Sequence, residues 1–142
     1  MRYPLDTDHA TILQQEDGSE FLRLLERISR HEPVDMAFSV VSFHEQAMGC
    51  NAYINRSRTV TELVRGYGML SRVIQAFARG PILPFDAHAA LVFDDLVSKR
   101  LRVGTMDLRI ASIALSRDII LLTRNVGDFG KIPGLRTDDW TR

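Results

Sequence analysis

A chain of 142 residues with 45% hydrophobic and 25% charged side chains is long enough to bury one core and short for two, which excludes a disordered or fibrous protein. Lysine plus arginine and aspartate plus glutamate number 18 each, so no global field draws the chain to nucleic acid or membrane, and any polyanion must be gripped locally. The single cysteine, Cys50, excludes an internal disulfide and a cysteine-rich zinc site and suits a reducing compartment, with a small buried hydrophobe as its simplest role. No apolar run approaches the ~20 residues of a membrane span, and no charged stretch followed by an apolar core opens the sequence. The expectation is a cytoplasmic protein forming one domain over residues 1–142.

Taken in chain order, short apolar runs alternate with helical periodicity. Tyr3 to Leu5 reads as a strand ending at Asp6, and helical sequence follows through Ile12 and Leu13. Asp17 with Glu20 three residues later announces a second helix, whose stripe is Phe21, Leu24, Leu25 and Ile28. Met36 to Val41 reads as a buried strand, with a helix beginning at Ser42. From Val60 to Phe77 the apolar residues Val60, Leu63, Val64, Tyr67, Leu70, Val73, Ile74 and Phe77 recur at helical spacing, despite Gly66 and Gly68. Gly80-Pro81 breaks that helix, Ile82 to Phe85 forms a strand, and Asp86 opens the next helix through Val97. Thr105 starts another helix, followed by the strand Ile119 to Thr123, with Asn125 and Asp128 just beyond. Leu135 to Trp140 supplies an edge strand.

Apolar runs separated by helices long enough for crossovers imply a mainly parallel sheet covered on both faces, a three-layer α/β/α domain. In such open sheets ligands bind outside the carboxyl ends of the strands. Here those ends are acidic: Asp6, Glu45, Asp107 and Asp128 are all expected on one rim. Two carboxylates ~4 Å apart repel by about 4 kcal/mol at an effective dielectric near 20, so four together call for protonation or a cation. Oxygen-only ligands favour Mg2+ or Mn2+, whereas zinc would want histidine or cysteine. Such ions support phosphodiester hydrolysis by a two-metal route.

Each acid also has a capping explanation, because Asp and Glu favour helix amino termini. Ser42-Phe43-His44-Glu45 reads as a capping box, Asp8 as a candidate cap after Asp6, Asp86 as a simple N-cap, and Thr105 as the better cap beside Asp107. Asp128, before Phe129-Gly130, suits a turn.

The strings Tyr3-Pro4-Leu5-Asp6-Thr7-Asp8-His9, Ser42-Phe43-His44-Glu45, Gly104-Thr105-Met106-Asp107-Leu108-Arg109-Ile110-Ala111 and Leu122-Thr123-Arg124-Asn125-Val126-Gly127-Asp128-Phe129 resemble, in order and spacing, the PIN domain. The closing Ile132-Pro133-Gly134-Leu135-Arg136 with Asp139-Trp140 resembles the VapC-type toxins of that family. The resemblance implies a PIN-like fold with five parallel strands in the order 3-2-1-4-5. It implies a magnesium- or manganese-dependent endoribonuclease acting on structured RNA such as tRNA and silenced by a cognate antitoxin protein. It assigns Asp6, Glu45, Asp107 and Asp128 as catalytic metal ligands, with Thr105 and Asn125 as supporting polar groups. Against it, Pro4 lacks an amide hydrogen in what becomes a central strand, so strand one is expected to begin at Leu5 or to be irregular.

Other residues and readings are open at this level. Arg109 and Arg124 lie where they can contact phosphate or form surface ion pairs, and His9 and His44 flank the acids. Part of the Val60 to Phe77 stripe is available to an antitoxin helix or to a second copy in a homodimer. Asp6-Thr7-Asp8 is also similar to the paired aspartates of haloacid-dehalogenase-like phosphatases, a reading that requires a later-strand lysine where only Lys99 and Lys131 exist. A noncatalytic PIN-like binding module, with its acids serving as caps, is the third reading.

Overall fold

Strand and helix alternate as the apolar runs predict. The structure, a computed structural model described over residues 2–32 and 35–142, runs β1 Tyr3–Leu5, α1 Thr7–Gln15, α2 Gly18–Ile28, β2 Met36–Ser39, α3 Val40–Arg56, α4 Val60–Phe77, β3 Ile82–Leu83, α5 Ala87–Ser98, α6 Thr105–Ser116, β4 Leu121–Leu122, α7 Val126–Phe129 and β5 Thr137–Asp138. The strands form one sheet in the order β3-β2-β1-β4-β5, with every pairing parallel.

Strand side chains alternate between two cores, which is why the runs read as continuously apolar. Leu5, Met36, Phe38 and Leu122 join Ala10, Ile12, Leu24, Val73 and Phe77 in one. Ala37, Leu83 and Leu121 join Ala89, Leu96, Ile110, Ile113 and Phe129 in the other. The layers are therefore α1, α2 and α4 against one face and α5 and α6 against the other.

Four predicted strands are shorter in the structure: the last, expected over Leu135 to Trp140, keeps only Thr137–Asp138, and the other three end for local reasons. β2 stops at Ser39 because the Ser39 hydroxyl accepts the Ser42 amide (2.9 Å) and starts α3 three residues earlier than predicted. β3 stops at Leu83 ahead of Asp86, whose carboxylate accepts the Ala89 amide (3.0 Å) as the N-cap of α5. β4 keeps only Leu121 and Leu122, with amide bonds from Leu121 to Arg136 and from Thr123 to Asp138 tying it to the last strand. Pro4 sits inside β1, opposite Ala37, contrary to the expected start at Leu5. The Asp6 amide donates to the Leu122 carbonyl (2.8 Å), so by alternation the missing Pro4 amide also faces β4, where pairing begins only at Leu5. No ladder bond is lost there.

The α4 stripe divides. Val73 and Phe77 enter the core, whereas Val60, Val64, Tyr67 and Ile74 are more than half exposed, at 77%, 69%, 57% and 53%. Its two glycines differ as well. A Cβ on Gly66 would lie 2.7 Å from Ile54 Cγ1 and 3.0 Å from Tyr53 Cδ1, so Gly66 permits the close approach of α3 and α4. At Gly68 it would meet only Arg72 Nη1, at 3.6 Å. Thermal denaturation should therefore separate them. Gly66→Val is expected to lower stability by about 1–3 kcal/mol through overpacking, and Gly68→Ala to raise it by up to about 1 kcal/mol through helix propensity. A neutral Gly66→Val would show that this helix contact is not tight.

Candidate active site

Asp6 follows the last residue of the central strand, and its environment follows from that position. Its extended backbone makes it the N-cap of α1: Oδ1 accepts the Thr7 amide at 2.7 Å, and Oδ2 accepts the Thr123 hydroxyl at 2.9 Å. Asp8, the alternative cap candidate, lies in the first turn of α1 instead. Asp6 is 5% exposed, and it is the one buried Asp, Glu, Lys or Arg among the described residues. Burial, reinforced by the charges of Asp8 and Asp107, raises its pKa to about 7 against the opposing hydrogen bonds from Thr123 and Thr7.

Around it opens a cleft of about 480 Å3 whose wall includes Asp6, Asp8, Glu20, Glu45 and Asp107, with Arg124 and Asn125. Three of the four predicted acids therefore meet in one hollow. Glu45 is not a cap: with Ser39 as the N-cap of α3 it lies beyond the first turn, and its Oε1 accepts the Thr7 hydroxyl at 2.7 Å. Thr105 is not the cap of α6 either. Gly104 holds that position without a side-chain bond, and Thr105 is exposed and outside the cleft wall. Asp107, half-buried in the first turn of α6, has its pKa raised by burial and then by the charges of Glu45, Asp128 and Asp8.

Asp128 stands apart from the cleft wall. Its amide bonds the Asn125 side chain that caps α7, and its carboxylate meets Asn125 Nδ2 (3.4 Å) and Lys131 Nζ (3.3 Å), contacts that lower its pKa. It still acts on Asp107 through its charge. Neither lysine lines the cleft, since Lys99 pairs with Asp95 and Lys131 bonds Asp128 and the Arg102 carbonyl. The phosphatase reading thus lacks its cation.

The sequence reading missed Asp8. Its Oδ1 is 2.8 Å from His9 Nδ1, and its carboxylate accepts the Arg124 amide at 3.1 Å. His9, predicted to flank the site, is fully buried as a brace, its Nε2 accepting the Trp140 amide at 3.1 Å. His44 is exposed. Arg109 lies outside the cleft wall, over the Phe93 ring at 5.8 Å. A wider groove of about 760 Å3 between α1, α3 and α4 is lined by Gln14, Gln46, Cys50, Met69 and Val73 among others and gathers no such set of acids.

The donor set fits a hard divalent cation, because two carboxylates are pushed up by burial and by the charges of neighbouring acids, and all the carboxylate ligands on offer are oxygens. Among the described residues, no three His, Cys, Asp or Glu side chains already stand close enough together to hold an ion. Holding one therefore requires side chains of the rim to turn inward.

The chain resembles several known proteins. No protein-family model matches it. A tRNA(fMet)-specific endonuclease VapC from Salmonella typhimurium is 36% identical over 73 residues, 48% of this chain and 55% of the relative. A ribonuclease VapC1 from Rickettsia felis is 41% identical over 58 residues, 38% of this chain and 43% of the relative. The chain spans about half the length of the curated relatives it matches. Among solved structures, VapBC2 from Rickettsia felis bound to a promoter DNA fragment superposes with a TM-score of 0.77 at 24% identity, covering 99% of each chain. VapBC-1 from nontypeable Haemophilus influenzae gives 0.77 at 24%, covering 100% of each.

The parallel order β3-β2-β1-β4-β5, with an acid-lined rim at the carboxyl ends of the strands, gives the chain a PIN-like α/β fold. The superposed structures share that fold with the chain, and the matched stretches are similar in sequence to VapC endonucleases and ribonucleases.

A raised carboxylate pKa has a definite sign for stability. Protons bind Asp6 more tightly in the folded state than in the unfolded one, so its contribution is full below about pH 4 and is lost as pH rises through about 7. Denaturation in chelator across pH 5 to 8 should show Asp6→Asn gaining on the parent with rising pH, by an order of a few kcal/mol at most. A parallel pH profile for the two would mean that Asp6 is not held in this way.

Proposed function

We propose that this chain is the toxin of a toxin-antitoxin pair: a cytoplasmic, Mg2+- or Mn2+-dependent endoribonuclease that hydrolyses phosphodiester bonds of structured RNA such as tRNA. The observation that carries the reading is the cleft in which Asp6, Glu45 and Asp107 converge at the carboxyl ends of the strands, two of them with raised pKa values. The names of the sequence relatives, a tRNA(fMet)-specific endonuclease and a ribonuclease, support the substrate class.

Asp6 and Asp107 are the principal metal ligands in this reading. Asp6 is fixed by two hydrogen bonds and lines the cleft, and Asp107 feels the charges of three other acids. Glu45 joins them from α3, oriented by the Thr7 hydroxyl. Asn125 holds Asp128 beyond the cleft, so Asp128 tunes Asp107 electrostatically rather than completing the ligand set. Thr105 contributes at most from the exposed edge of α6. When bound, a divalent ion polarises a phosphate oxygen and lowers the pKa of an attacking water. One solved neighbour, from Klebsiella pneumoniae, is a toxin-antitoxin complex by name, and the exposed Val60, Val64, Tyr67 and Ile74 offer an apolar surface to an antitoxin or a second copy.

Cleavage of labelled tRNA(fMet) and of a mixed tRNA pool in excess Mg2+ tests this reading. Asp6→Asn and Asp107→Asn should each slow cleavage by about a hundredfold or more while remaining folded, and Asp128→Asn should slow it less. Co-expressed antitoxin should silence the parent. Parental rates in Asp107→Asn would overturn the assignment, and tRNA binding without cleavage in any divalent metal would favour the noncatalytic module.

A further inference from the structure

An acidic cleft in a chain of zero net charge has to attract a polyanion by some local cation. Among the described residues of the cleft wall, Arg124 alone carries a positive charge. We infer that Arg124 positions RNA by taking a phosphate oxygen at the cleft mouth, and that Glu20 is the displaceable partner that occupies the guanidinium until RNA arrives. The inference rests on the ribonuclease reading above and adds to it the residue that grips the substrate.

The two ends of Arg124 are held very differently. Its amide donates to both oxygens of Asp8, at 3.1 and 3.4 Å. Asp8 is braced from behind by His9, fully buried, whose Nε2 accepts the Trp140 amide and so leaves the ring proton on Nδ1, facing Asp8 at 2.8 Å. The backbone at the start of the loop after β4 is thereby pinned to α1 and to the C-terminal segment. Among the described residues the guanidinium has a single ion-pair partner, Glu20 Oε2 at 3.0 Å, and both side chains are nearly half exposed, at 46% and 43%. An exposed pair of this kind holds by a factor of about five at most, so a phosphate able to take two guanidinium hydrogens displaces the carboxylate. Pinned backbone and releasable side chain are what a positioning residue needs: its origin is fixed relative to Asp6, and its fork is free to turn toward substrate. Glu20 is also released from the capping pair expected of Asp17 and Glu20. Asp17 makes no capping bond at the head of α2, and the Glu20 carboxylate reaches across to β4's exit.

The test measures binding of fluorescently labelled tRNA in an Asp107→Asn background, without turnover, as a function of salt. Arg124→Ala should weaken binding about tenfold and reduce the salt slope by about one, Arg124→Gln should behave alike, and Arg124→Lys should recover part of the loss. Glu20→Gln should tighten binding up to about fivefold, and that gain should vanish when Arg124 is alanine. In the cleaving parent, Arg124→Ala should raise KM by more than it lowers kcat. The inference is overturned if Arg124→Ala and Arg124→Gln bind with parental affinity and slope, or if the Glu20→Gln gain persists without Arg124. If the parent cleaves no RNA and the background protein binds none, the ribonuclease reading itself fails and this inference falls with it.

Discussion

The structure turns on one carboxylate buried at the end of its central strand. Asp6 surrenders hydration at a place where the Thr7 amide and the Thr123 hydroxyl replace it only in part, so burial outweighs hydrogen bonding and its pKa rises to about 7. Asp107, half-buried at the same rim, is pushed up by burial and by the charges of Glu45, Asp128 and Asp8. A fold selected for stability alone would place an uncharged cap here. Local conflict of this kind is where function is expected, because the rim becomes a site that favours positive charge.

The architecture serves that placement. β1 runs between β2 and β4, and its last residue hands directly over to α1, so the side chain that ends the strand also begins the helix. Both sheet faces are packed, which leaves the strand ends as the natural place for polar chemistry. The C-terminal segment closes the far side of α1. Trp140, 3% exposed, stacks on His31 at 4.8 Å and contacts Tyr3 at 5.0 Å, while its amide holds His9, which holds Asp8. Packing at the end of the chain is thus connected through hydrogen bonds to the cleft wall.

Much of this was legible in the amino-acid sequence. Short apolar runs marked β1, β2 and β4, and the periodicity from Val60 to Phe77 marked α4 to the residue. The failures were of two physical kinds. Serines three residues apart, Ser39 and Ser42, are equally good caps on paper, and only the position at which the sheet ladder stops decides that Ser39 starts α3 and frees Glu45 from a capping role. Likewise Asp8 was read locally, as a cap, because its partners Arg124 and Thr123 lie more than a hundred positions away and carry no sequence signal linking them to it. The resemblance located the acids but not the division between Asp107 inside the cleft and Asp128 outside it. That division depends on Asn125 and Lys131 holding the Asp128 carboxylate elsewhere.

The central claim is that the rim is a cation site built from mutually repelling carboxylates. Thermal denaturation against Mn2+ concentration near pH 8, where Asp6 is ionised, addresses it without reference to any RNA. The account expects the melting temperature of the parent to climb with Mn2+ as binding to the folded state demands, and the climb to be largely abolished in Asp6→Asn and in Asp107→Asn. An equal response to Mn2+ in the parent and in both variants would contradict it.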